Sequence, residues 1–142
     1  MHIQKELRFQ EIFKVWTQLS TNHGYIATNH TFFHQVTNKQ LQYILLEFIH
    51  CLKDENRRLQ WLLQDNGIVA PQATQPPIIK KTDRQKLTMP DAEISAILSM
   101  NIAACLLTVS QIDNQQHAAL FHMRYASLGA KLIELSQQNG WL

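Results

Sequence analysis

Seven histidines (His2, His23, His30, His34, His50, His117 and His122) stand among 11 acidic side chains. Imidazole and carboxylate together are fair ligands for zinc or iron, so metal chemistry is the first to weigh. Glu47-Phe48-Ile49-His50 has the Glu-x-x-His spacing of helical di-iron sites. At about 100° per residue, however, His50 lies roughly opposite the apolar line through Phe48 and Leu52. The last segment has no second copy, because Ala119 stands three residues before His122. Glu47 and His50 therefore read as a solvated face.

A second set sits on the apolar lines themselves. His23, His30, Glu55 and Asn101 occupy positions where Leu or Ile is expected. An unpaired polar group there costs on the order of a few kcal/mol, and a charged one more. They should therefore meet one another or water. The expectation is a polar core layer of His23, His30, Glu55 and Asn101, hydrogen-bonded and register-fixing, with His122 at its edge. The alternative is a single divalent metal held by His23, Glu55 and His122. A redox di-iron centre would want about four carboxylates, and Glu11 and Glu93 lie off their lines. No residue is expected to be catalytic, and no cofactor is expected beyond that one metal.

Other chemistries find little support. There is no Gly-rich phosphate loop and no Gly-x-Ser-x-Gly elbow. Cys51 and Cys105 form no CxxC pair, and Cys105 falls on a core line, which suits a buried structural thiol. The net charge is only +2, which predicts neither nucleic acid nor an anionic membrane as partner. Lys80, Lys81, Arg84 and Lys86 make a small basic cluster, narrower than a nucleic-acid footprint. Polarity is carried instead by 16 Gln and 8 Asn, as many amides as there are charges.

Four helical segments must position these groups, at about 9–36, 38–65, 89–110 and 113–139, with a crossover at 66–88. In the first, Phe9, Ile12, Trp16, Leu19, His23, Ile26, His30 and Phe33 step by three and four. The second runs through Leu41, Leu45, Phe48, Leu52, Glu55, Leu59 and Leu62, and Thr37 to Gln40 has the spacing of a capping box. The third follows Ile94, Leu98, Asn101, Cys105, Val109 and Ile112 behind a Thr88-Met89-Pro90-Asp91 start. The fourth follows Ala118, Phe121, Tyr125, Leu128, Leu132 and Leu135. Asn66-Gly67 and Asn139-Gly140 supply helix stops. Two antiparallel hairpins joined by one long crossover predict an all-α, ferritin-like four-helix bundle in a single domain, 1–142.

Glu11-Ile12-Phe13-Lys14-Val15-Trp16, Asn66-Gly67-Ile68-Val69-Ala70-Pro71 and Gln138-Asn139-Gly140-Trp141-Leu142 resemble a bacterial family of unknown function from spore-forming bacteria. Its members are often labelled spore-coat-like and have ferritin-like bundles. The resemblance covers nearly the whole chain and implies a non-enzymatic structural or assembly role, with coat proteins as partners. The other reading is a metal-binding ferritin-like protein with oxidoreductase chemistry. The N-terminus has no apolar h-region, and uninterrupted apolar runs fall far short of the ~20 residues that span a bilayer. An intracellular, soluble or coat-associated chain without membrane insertion is expected. A second apolar line (Tyr43, Leu46, His50, Trp61) and the face Ala119, Met123, Ala126, Ala130 and Ile133, with Gly129 nearby, predict a homodimer.

Overall fold

A computed structural model describes residues 2–73 and 89–142, with side chains from Phe9 onward. Four helices form an all-α bundle: α1 (His2–Phe33), α2 (Lys39–Asp65), α3 (Asp91–Val109) and α4 (Gln115–Gln138). The first begins at His2, well before the expected start near residue 9. Of the crossover expected at 66–88, residues 74–88 lie outside the described residues, as does Thr88, the expected cap of the third helix.

Each boundary has a local cause. The Asn38 side chain caps α2 by accepting from Leu41 N at 2.9 Å, and Asn114 caps α4 by accepting from His117 N at 2.9 Å. Thr37 is not the α2 cap that its spacing suggested. Its hydroxyl donates to Asp91 at 2.8 Å, and Asp91 also accepts from Thr37 N and Asn38 N. One carboxylate thus ties the α1–α2 turn to the first residue of α3. Asn66-Gly67 and Asn139-Gly140 end α2 and α4 as expected, with Gly67 at φ 70° and Gly140 at φ 69°. Ile68 N donates to Leu63 O and Trp141 N to Ser136 O, the long bonds of Schellman stops.

These ties orient the bundle. α1–α2 and α3–α4 are antiparallel hairpins, and the clamp at Asp91 places the N-termini of α2 and α3 at one end, so those two run parallel. Ion pairs Glu47–Lys131 and Asp54–Arg124, both at 3.0 Å, show α2 and α4 running antiparallel side by side. A large apolar cluster includes Phe48, Leu52, Leu98, Cys105, Phe121 and Tyr125. A smaller one gathers Val15, Leu19, Leu59, Leu63 and Ile112.

Three of the four expected core lines are buried almost throughout; on α2, α3 and α4 only Leu62, Asn101 and Ala118 are half-buried. The line on α1 is rotated. Phe9, Phe13 and Trp16 are exposed, while Gln18, Asn22 and Asn29 point inward at 4%, 0% and 0% exposure. Leu19 of the expected line stays fully buried, so the buried face is offset from that line by about one residue.

Candidate functional site

Between the two apolar clusters lies a polar layer. On α2 it falls between Leu52 and Leu59; on α1, beyond Leu19; on α4, at His117, with the Tyr125 hydroxyl reaching it from the larger cluster. Its centre is Glu55, fully buried. Asn22 Nδ2 donates to Glu55 Oε1 at 2.8 Å, and Tyr125 Oη donates to the same oxygen at 2.7 Å. His117 Nε2 meets Glu55 Oε2 at 2.8 Å. Gln18 Nε2 donates to Asn22 Oδ1 at 2.9 Å, extending the chain along α1. Asn22, Glu55 and His117 are fully buried, as is Tyr125.

Local structure supplies each member. His117 stands in the first turn of α4, its backbone N–H taken by the Asn114 cap, and its ring packs tilted against Phe121 at 4.8 Å. Tyr125 lies two turns on along the same face, edge-on to Phe48 at 6.0 Å. The donors fill both Glu55 oxygens, so the carboxylate is held within the fold as a buried acceptor should be. His117 Nδ1 finds no side-chain or backbone partner. Burial, with the Glu55 charge adding to it, pushes the Tyr125 phenol far above its ordinary value and keeps it a donor.

The layer differs from the expected one in all but Glu55. His30 is exposed and rests edge-on against His34 at 4.7 Å. Asn101 is half-buried. Glu55 lies sixteen residues into α2 and Asn101 ten into α3, so Asn101 falls about 9 Å short of the Glu55 level at 1.5 Å per residue. His122 is exposed, and His117, one and a half turns earlier, takes the inward position. His23 is half-buried beside the layer, its Nδ1 3.4 Å from Asn56 Nδ2. His23, Glu55 and His122 are therefore not brought together. Among the described residues no group of three or more His, Cys, Asp or Glu is placed to hold a metal ion. Glu47 and His50 are exposed, with Glu47 paired to Lys131.

Asn22, His117 and Tyr125 are the members that the sequence reading missed. Tyr125 stood on its line as a core aromatic. A phenol at a core position needs a partner, and that requirement could have drawn it to Glu55. Asn22 gave no such signal, because amides are common throughout this chain.

Both cysteines are free and buried. Burial pushes the Cys51 thiol up to about 11, and the Cys105 thiol rises still further for the same reason. Neither is poised as a nucleophile at neutral pH.

His23 makes the fold sensitive to acid. Burial holds its imidazole below the ordinary value, with the Pro71 carbonyl pulling the other way. As pH falls below about 6.5 the unfolded chain takes up this proton first, so stability is full above that value and declines below it. The urea midpoint should drop between pH 7.5 and pH 5, and drop less in His23→Gln. Equal drops in both proteins would remove His23 from the account.

Comparison with known proteins places this bundle among relatives. The crystal structure of a "putative spore coat protein" from Bacillus halodurans superposes with a TM-score of 0.85 at 33% identity, covering 94% of this chain and 90% of that one. The uncharacterised protein YvdQ of Bacillus subtilis is 26% identical over 145 residues, covering 96% of this chain and 85% of its own length. A family model described as "Protein of unknown function (DUF3231)" matches residues 1–142. With that match across its full length, the chain belongs to the DUF3231 family.

Proposed function

We propose that this protein is a non-enzymatic structural component that works by assembly, in the manner of a spore-coat protein. The observation that carries the reading is the closure of the polar cluster around Glu55. Glu55, His117 and Tyr125 are the groups best suited to acid–base work, yet all are fully buried and bonded to one another. General acid–base catalysis needs such a group within hydrogen-bond reach of a substrate. Here those groups, with Asn22 of α1, join three helices across the middle of the bundle, and a layer of that kind holds helices in register. The name of the Bacillus halodurans relative supports a coat association.

The experiment is fractionation. A tagged chain expressed in a sporulating Bacillus should partition with the alkali- and detergent-extracted coat proteins of purified spores. Recovery from the soluble cytosolic fraction alone, with none in the coat extract, would overturn the reading.

A further inference from the structure

Among the described residues, α3 carries an apolar face that nothing in the bundle covers. By length and composition this helix is apolar enough to cross a membrane, yet only about a third of it is buried in the bundle. Interrupted runs of small residues hid this from a reading based on continuous apolar stretches. No charged residue occurs from Ile94 to Ile112. Its buried side, through Ile94, Leu98, Cys105 and Val109, packs into the core. Its outer side carries Ala96, Met100, Ala103 and Leu107, all exposed, with Met100 and Leu107 each at 70%. Spaced by four, three and four, these fall within an arc of about 60° on a helix of 100° per residue.

We infer that this face of α3 is a self-association surface whose occupant is the antiparallel α3 of a second copy. The inference deepens, and rests on, the assembly role proposed above. Small and large residues alternate along the line. A two-fold axis passing between residues 101 and 102 sets Ala96 against the partner's Leu107 and Met100 against the partner's Ala103. Every projecting side chain then meets a small one, which is the complementarity an isologous contact requires. A parallel pairing would set Ala against Ala and Met against Met, leaving gaps between bulky contacts.

Size and charge point to the same occupant. Nineteen helical residues span about 28 Å. Alongside α3, Gly129 and Ile133 of α4 border a groove of about 310 Å³ that widens the face. Two helices in width make roughly 28 by 18 Å, on the order of 500 Å² before corrugation, near the lower end of what stable dimers bury per partner (about 600 Å²). The outer line offers no cation to an anionic headgroup and no charge to select an unlike protein. A neutral, self-complementary strip fits its own copy best.

Sedimentation of the full chain at tens of micromolar should give a mass of about 33 kDa, twice the 16.5 kDa of one chain. Leu107→Glu and Met100→Glu should each return it to the mass of one chain, with unchanged helical circular dichroism and melting temperature. Cross-linking tests the direction of pairing. Ala96→Cys and Leu107→Cys proteins, mixed and then oxidised, should form a disulfide-linked dimer that neither forms alone. Residues 96 of two antiparallel copies lie roughly 16 Å apart along the axis, and the native thiols are buried. A monomeric wild type, or a dimer in which Ala96→Cys links to itself, overturns the proposal. So does sedimentation of the monomer with phosphatidylcholine–phosphatidylglycerol vesicles that Leu107→Glu abolishes. A monomer that still enters the coat fraction defeats this surface alone, whereas a dimer confined to the cytosol defeats the coat role alone.

Discussion

Glu55→Ala is expected to lower the unfolding free energy by about 3–5 kcal/mol, read from urea or guanidinium titration. Three donors lose their acceptor at once, Asn22 Nδ2, Tyr125 Oη and His117 Nε2. All three residues are fully buried, so water cannot replace the carboxylate without opening the bundle. For a domain whose total stability is typically 5–15 kcal/mol, that is a large share. Glu55→Gln keeps an oxygen for Asn22 and Tyr125 and should cost less, about 1–2 kcal/mol. Tyr125→Phe should lose about 1 kcal/mol in the native background and close to nothing once Glu55 is alanine. A loss below about 1 kcal/mol for Glu55→Ala would show that the layer does not hold the helices together.

Phe48→Ala carries the second large effect. Its ring is fully buried in the larger apolar cluster and stands edge-on to Tyr125 at 6.0 Å and 69°. Removing it deletes the transfer free energy of an aromatic side chain and leaves a cavity, together about 3–5 kcal/mol. For a chain of this size the melting temperature should fall by roughly 10–15 °C by calorimetry. Because the ring also steadies the phenol that bonds Glu55, Phe48→Ala and Tyr125→Phe should be non-additive. Strict additivity would mean that the core and the polar layer respond independently.

Both effects depend on placements of unequal legibility in the sequence. The α2 line from Leu41 to Leu59 is continuous and apolar apart from Glu55, so its period alone put Glu55 inside. The same reasoning located the α3 and α4 cores and the buried Cys105 thiol, and turn chemistry located the two glycine stops, where a positive φ favours glycine. It failed on α1. There the exposed Phe9, Phe13 and Trp16 and the buried Gln18, Asn22 and Asn29 depart from the usual correspondence of apolar with inside, although Val15, Leu19, Ala27 and Phe32 keep to it. A period can show that a helix has faces, but on α1 the exposed aromatics and buried amides shift the apparent face away from the real one. That rotation led to His23 and His30 in place of Asn22 and Asn29.

The neighbouring error on α4 has a related cause. The period put His122 at the edge of the layer, whereas His117 is the buried histidine of α4 and the one at the level of Glu55. A continuous line of apolar side chains carries no information about axial offset between helices, because any shift by a turn leaves apolar facing apolar. The offset is decided by contacts distant in sequence. Asp91 clamps the far hairpin turn, Asn114 starts α4 at a definite residue, and Ser95 meets Ser136 at 3.0 Å in the core.

Sequence alone determined that this chain makes four helices with buried lines on α2, α3 and α4, and that Glu55 must find partners in the interior. Local hydrogen bonding and periodic burial suffice for those conclusions. Only the tertiary structure decided which partners Glu55 finds, that α1 turns its amides rather than its histidines inward, and that α3 leaves one side of its uncharged length unburied. Each depends on the rotation and offset of one helix against another, and those are properties of the packed bundle rather than of any single segment.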